Sequence, residues 1–123
     1  MDELFFRLEQ LECQKNYIIS NNRKYIKILQ KDIIYIRKMQ KDVIFVLNDG
    51  KEEKERTTLQ EAYRKLDNPE IVWLDRGIIL NLRHVQKISG DRIEMHGEYE
   101  ITTNAEHLME LKRQLAFYWG GMV

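Results

Sequence analysis

One arginine stands between two apolar runs in the stretch WLDRGIILNLRHVQKI, residues 73–88. A guanidinium is a permanent cation with a planar fork of donors, which suits a phosphate oxygen or the edge of a guanine. Gly77 follows Arg76 and serves backbone geometry first and the close approach of a partner second. We interpret Arg76 as a contact residue for an anionic partner. The structural alternative is an ion pair with Asp75 or Glu70.

A second group of cations lies nearer the N-terminus. Residues 21–41 carry seven lysines and arginines against Asp32 alone, which leaves a local charge of +6 in a chain whose net charge is zero. Such asymmetry is typical of a surface that binds a polyanion, and also of solvated strand faces that carry lysine for solubility. The candidate contact residues at its end are Arg37, Lys38 and Lys41 for phosphates and Gln40 for a base edge.

Residues that could support catalysis or bind a metal are few. His84, His96 and His107 have no metal-ligand spacing, and Cys13 is the only cysteine, so we expect neither a metal cluster nor a disulfide framework. The sequence has no P-loop, dinucleotide fingerprint or serine-hydrolase motif. We expect no enzymatic activity, no cofactor, no metal and no small-molecule substrate.

The composition is that of one folded domain. A chain of 123 residues with 43% hydrophobic residues can bury a core without disulfide bonds. The longest wholly apolar run, VIFVL at 43–47, is far shorter than a membrane span. The N-terminus carries acids where a signal peptide would carry bases. We therefore expect a soluble, cytoplasmic protein that does not bind membranes.

Short strands account for most of the chain. NYIIS and YIKIL flank a turn at NNRK, DIIYI follows, and Asp49-Gly50 has the residue types of a hairpin turn with positive φ angles. The strand after that turn is so charged that we predict an edge position or a solvated face. Five further segments have strand character: IVWL, GIILNL, HVQKI, DRIEMH and YEITT.

Three helices are predicted between and around these strands. The first covers residues 2–14, and the second begins at Thr58, which has capping-box spacing to Glu61. The third begins at Thr103 or Asn104 and ends at Gly120-Gly121. Many short strands with a single internal helix favour antiparallel sheets over βαβ units.

Several polar and aromatic residues have a structural interpretation. We expect Asn81 to bond buried backbone rather than a partner, and His84 to be structural. Thr103 is interpreted as a helix N-cap in preference to a contact residue. Trp73 and Trp119 are interpreted as anchors of the core or of an interface.

The order of these segments resembles the LytTR domain, the DNA-binding module of many bacterial two-component response regulators. The similarity runs from about Tyr17 to Phe117 and is carried by DIIYI, by TTLQEAYRKL and by RGIILNLRHVQKI. It implies a mainly β fold of about ten short, mostly antiparallel strands in stacked sheets, with one short internal helix and N- and C-terminal helices. The chain then divides into an N-terminal helix at 1–16, a LytTR-like domain at 17–117 and a C-terminal end at 118–123.

The resemblance also implies a partner and a mode of binding. In that family, loops enter successive major grooves of double-stranded DNA at promoters that carry paired repeats, an arrangement compatible with a homodimer. The implied loops here are 37–42, 75–77 and 102–105. They contain the candidate DNA-contact residues Arg37, Lys38, Gln40, Lys41, Arg76, Gly77, Thr103 and Asn104.

This sequence departs from the family pattern in its loops. Asp75 stands where a histidine often precedes the arginine, and Thr102-Thr103 stand in place of Ser-Arg. These departures favour an alternative function, in which the module binds a full-length homologue or another protein and binds DNA weakly. A binder of nucleic acid without sequence preference is a third hypothesis. Residues 1–16 are too few for a receiver domain, so we expect a small standalone regulator.

Overall fold

The computed structural model describes residues 15–120, which form ten strands and two α-helices. The predicted helix at 2–14 lies outside the described residues. The strands are β1 (Asn16–Ser20), β2 (Tyr25–Leu29), β3 (Ile33–Met39), β4 (Asp42–Leu47), β5 (Glu52–Glu55), β6 (Ile71–Asp75), β7 (Ile78–Asn81), β8 (Val85–Ser89), β9 (Arg92–Met95) and β10 (Tyr99–Thr102). The helices are α1 (Leu59–Leu66) and α2 (Ala105–Tyr118).

The ten strands pair in three antiparallel sheets. β1 and β2 form a hairpin, β8, β9 and β10 form a meander, and the central sheet has the order β5-β4-β3-β7-β6. The charged strand β5 is an edge strand, as predicted from its composition. The predicted mainly β fold of about ten short antiparallel strands in stacked sheets is confirmed.

The central sheet is buried on both faces, which gives the domain two cores. Because successive strand side chains point to opposite faces, Ile79 enters the first core and Leu80 the second. The first core lies under the β1–β2 hairpin and α1, with Phe45 at its centre. The second lies under the β8–β10 meander and α2. Fully apolar strand runs such as VIFVL follow from this two-sided burial.

The helix starts confirm one predicted cap and correct another. Thr58 caps α1, since its Oγ1 accepts a hydrogen bond from Glu61 N at 3.1 Å. In α2 the cap is Asn104, whose Oδ1 accepts from His107 N at 2.8 Å. Thr103 is therefore not the N-cap, because the helix begins one residue later than the Thr103–Glu106 spacing suggests.

Three further expectations need correction. Trp73 and Trp119 are 37% and 55% exposed, so neither anchors the core. In the β4–β5 turn Gly50 alone adopts a positive φ, of 87°, and Asp49 does not. A 3₁₀ turn, Leu82–His84, separates the two strands that GIILNL and HVQKI suggest.

None of the helices within 15–120 is long and apolar enough to cross a membrane.

A buried carboxylate holds the β1–β2 hairpin against β5. Glu55 is 4% exposed, and its two oxygens accept hydrogen bonds from Tyr17 Oη at 2.6 Å and Ser20 N at 3.0 Å. Burial, together with the neighbouring carboxylate, raises the pKa of the Tyr17 hydroxyl, so the phenol stays a neutral donor. The hairpin is thereby fixed relative to the edge of the central sheet.

Asn81 ties β7 to the start of β3, as predicted. Its side chain is fully buried; Nδ2 donates to Ile33 O at 2.9 Å and Oδ1 accepts from Arg83 N at 3.0 Å. Asn81→Ala should lower the free energy of unfolding by about 2–4 kcal/mol, because each buried polar group left unpaired costs about 1–3 kcal/mol. Urea denaturation measures this, with the exposed Asn22→Ala as control. Equal stabilities for the two variants would contradict the assignment.

The environment of His84 predicts that the stability of the domain depends on pH. Its Nε2 lies 2.6 Å from Lys31 O and donates to it, while burial lowers the pKa of the imidazole. A lowered pKa in the folded state contributes stability that is complete above the unfolded pKa of about 6.5 and is lost as pH falls through the folded value. We expect the free energy of unfolding to decrease from pH 7 to pH 5, and to decrease less in His84→Gln. Parallel pH profiles for the two proteins would refute this.

Candidate nucleic-acid interface

The three loops implied by the sequence lie side by side. The β3–β4 turn is joined to the β6–β7 turn by a backbone hydrogen bond from Lys38 N to Gly77 O at 2.9 Å. The β10–α2 junction approaches the second turn through Thr103 Oγ1, which lies 3.5 Å from Asp75 Oδ2, a long and weak contact. Residues that are far apart in sequence therefore form one surface.

The first loop is a tight turn between paired Met39 and Asp42. Gln40 adopts a left-handed φ of 57°, which is uncommon for a residue with a side chain. Lys38, Gln40 and Lys41 are all exposed. Within residues 15–120 neither lysine makes an ion pair, so both ammonium groups are available to a partner.

The second loop holds Arg76 outward on a rigid turn. Asp75 Oδ1 accepts a hydrogen bond from Gly77 N at 2.8 Å. This bond closes the turn around Arg76, which lies between the two residues. Arg76 is exposed, and neither expected ion pair forms: Asp75 bonds the turn, and Glu70 pairs with Arg83 at 3.1 Å. No other carboxylate in the described part of the chain pairs with Arg76.

Gly77 does not have the role expected from its residue type. Its φ lies outside the left-handed region, and an added Cβ would meet only Asp75 Oδ1, at an ordinary 3.8 Å. Backbone geometry therefore does not require glycine here. The open space beside it suits the close approach of a partner, the second interpretation made from the sequence.

Two candidates are separated from this group by their own contacts. Arg37 lies on the face of β3 opposite Lys38, half-buried, and its guanidinium pairs with Glu52 at 3.6 Å. Asn104 uses its side-chain oxygen to cap α2. Thr103 stays at the surface beside Asp75, where it links the third loop to the second.

The remaining candidate contact residues line one open groove of about 780 Å³. Lys38, Gln40, Lys41 and Arg76 line it together with residues that the sequence did not indicate. Those are the start of α1, the partly exposed Trp73, and one face of α2; the α2 residues are His107, Glu110 and Gln114. Sequence carried no signal for the α2 residues, because they reach the groove only through the packing of α2 on the sheet.

Two residues that line the groove contain buried polar atoms without hydrogen-bond partners among the described residues. His107 Nδ1 and Gln114 Oε1 are buried, and neither has a hydrogen-bond partner among the described residues. Buried polar atoms are normally paired. The only acid of α2 in the groove, Glu110, is bonded by Arg113, which lowers the pKa of its carboxyl. No set of three metal-binding side chains occurs within 15–120.

Comparison with known proteins identifies the family to which the chain belongs. The sequence model of the LytTr DNA-binding domain matches residues 23–116, most of the chain, so the protein belongs to the LytTR family of DNA-binding domains. A solved LytTr DNA-binding domain has the same fold; it comes from a Bacillus cereus protein described as a methyl-accepting/DNA response regulator. The two share 15% identity and a TM-score of 0.71 over 85% of this chain and 99% of the other. The comparison with curated proteins gave no match.

The role of Asp75 can be tested by two substitutions that differ in hydrogen bonding. Asp75→Asn keeps an oxygen for Gly77 N, so its free energy of unfolding should stay within about 0.5 kcal/mol of wild type, whereas Asp75→Ala should lose about 1 kcal/mol. Chemical denaturation measures both, and exchange of the Gly77 amide should accelerate only in Asp75→Ala. The exposed Asp91→Ala is the control. Equal losses in the Asn and Ala variants would mean that the charge, not the turn, matters.

Proposed function

We propose that the protein is a sequence-specific DNA-binding transcriptional regulator whose loops enter the major groove. The observation that carries the proposal is the groove in which Lys38, Lys41 and Arg76 lie exposed and without ion pairs within residues 15–120. These three cations come from two loops about 35 positions apart in sequence and converge on one groove. Membership of the LytTR family supports double-stranded DNA as the partner of these cations.

The residues of the groove divide into two roles. Arg76 is the base-reading residue, because its guanidinium projects from a turn that Asp75 and the Lys38 bond hold in place. A bidentate contact with guanine discriminates by about 1–3 kcal/mol. Lys38 and Lys41 neutralise phosphates and set the register of the loops. Gln40, at the tip of the first loop, reads a neighbouring base edge.

The carboxylate of Asp75 is compatible with DNA binding in this arrangement. It is half-buried and bonds Gly77 N and Thr103 Oγ1. Asp75 also lines the groove, where the three cations Lys38, Lys41 and Arg76 outnumber its single charge. Binding to paired promoter repeats would place two copies of the domain on one duplex, so a homodimer on DNA is part of the proposal.

A second candidate function rests on a different observation. Tyr63 and Trp73 pack against each other with ring centroids 5.4 Å apart, and each remains 37% exposed. Trp73 also lines the groove. Exposed aromatic side chains are enriched at protein interfaces, so this pair favours the alternative in which the module binds another protein.

The test is fluorescence anisotropy with a set of labelled duplexes from low to physiological salt. Wild type should prefer one duplex and weaken steeply with salt. Arg76→Ala should reduce the preference for that duplex by roughly 5- to 150-fold, the equivalent of the discrimination expected for one bidentate contact. The control is Arg92→Ala, which removes the same charge from the β8–β10 meander and should leave the preference unchanged.

Arg76→Lys separates charge from base reading. It keeps the cation but loses the planar fork, so the salt dependence should persist while the sequence preference falls. If wild type binds no duplex even at low salt, the DNA proposal fails and the protein-interaction function takes its place. If binding occurs without any preference, the domain binds nucleic acid without reading sequence.

A further inference from the structure

A second basic surface borders the loop groove. It is an open depression of about 670 Å³ formed by the β1–β2 turn, residues 20–24, and by the end of β5 with the residue that follows. It contains four cations and two acids. Lys24 pairs with Glu53 at 3.6 Å, whereas Arg23, Lys54 and Arg56 make no ion pair within the described residues. We call these three cations the hairpin patch.

The hairpin patch is held in place by hydrogen bonds. Asn21 Oδ1 accepts from Arg23 N at 3.0 Å and from Lys24 N at 2.9 Å, which fixes the turn. Asn21 Nδ2 donates to Lys54 O at 2.9 Å, which joins the turn to β5. Beneath them, Glu55 bonds Ser20 N at 3.0 Å. A cationic surface whose backbone is fixed in this way presents its charges without a large ordering cost on binding.

The hairpin patch continues the line of the three loops. Val43 pairs with Glu55 across β4 and β5, so Arg56 and Asp42 lie at the same end of these strands, next to Lys41. Arg56 is followed by Thr57, which lines the loop groove. Hydrogen bonds thus join Thr103 to Asp75 and Lys38 to Gly77, and Asp42, which follows Lys41, lines the depression of the patch. The patch lies at the first-loop end of this series.

The β8–β10 meander does not continue the basic surface. Its residues, 85–102, carry two bases and four acids. Glu94, Glu98 and Glu100 border one depression there. The groove and the patch, by contrast, carry neighbouring cations without ion pairs within the described residues, and an extended polyanion is a partner that fits such a line.

We propose that the hairpin patch binds phosphates of the same duplex beyond the segment read by the loops, and that it adds affinity without sequence preference. This inference rests on the proposed function. Arg23, Lys54 and Arg56 are exposed and lie outside the three loops that the family resemblance assigns to base contacts. Exposed cations beside such loops suit phosphates, which carry no sequence information.

The test is the double variant Arg23→Ala/Arg56→Ala, compared with Lys87→Ala/Arg92→Ala on the meander. With the preferred duplex, the slope of log affinity against log salt should fall by about 1.8 in the patch variant, about 0.9 for each phosphate contact. Affinity should fall by the same factor for preferred and scrambled duplexes. The meander variant should keep the wild-type slope. A loss of preference in the patch variant would instead assign it a base-reading role and overturn the inference.

Shortening the duplex gives an independent readout. Base pairs are removed from one end at a time, outside the preferred sequence. Removal at the end that lies on the patch should weaken wild type and leave the double variant unaffected. If both proteins weaken equally, the patch does not contact DNA. Suppose that wild type binds duplexes and Arg76→Ala loses the preference, but the patch variant matches the meander control. Then this inference alone fails. If wild type binds no duplex at all, the proposed function fails as well.

Discussion

The pairing of β3 with β7 is the constraint on which the candidate site depends. In an antiparallel pair one strand ends where the other begins. The turn after β3 and the turn before β7 must therefore lie at the same end of the paired strands. The register Arg37↔Ile78 places the two turns side by side. The hydrogen bond from Lys38 N to Gly77 O extends this pairing by one residue on each strand. Cations separated by about 35 positions in sequence become neighbours through this single register. A shift by one residue would move every core side chain of β3 to the wrong face.

Burial of the central sheet on both faces explains why the site is built from turns. The two cores occupy both faces of β3 and β7, so the middle of these strands has no access to a partner. Functional side chains are left with the turns and the strand ends, as Lys38 is at the end of β3. Hydrogen bonds from Lys38 N to Gly77 O and from Gly77 N to Asp75 Oδ1 hold the first two turns in place. Rigid turns on a packed scaffold hold a contact residue in one orientation before the partner arrives.

Local signals in the sequence were sufficient to predict most helices and strands. Contacts between residues distant in sequence could not be predicted in this way. Thr58 marked the start of α1, and the composition of β5 marked an edge strand, because each depends on a few neighbouring residues or on solvent alone. Thr103 and Asn104 are both good caps, and only the packing of α2 decides that Asn104 is used. The partner of Asp75 was not predictable for a similar reason: Gly77 N competes with Arg76 for the carboxylate, and the turn geometry decides the outcome. His107 and Gln114 reach the groove through α2, which no sequence pattern near the loops reveals.

The charge distribution bears on how such a domain would discriminate between sites. Its net charge is zero, so the whole molecule has little long-range attraction for a polyanion, and sequence-independent binding depends on local cations. The cations of the groove and of the hairpin patch lie near one another, whereas the meander is acidic. An acidic meander penalises any orientation that presents it to DNA. In the proposed complex the loop groove would face the duplex instead. A neutral total combined with a local basic surface would favour one binding geometry over high general affinity, and under that condition a base-reading arginine would contribute most to selectivity.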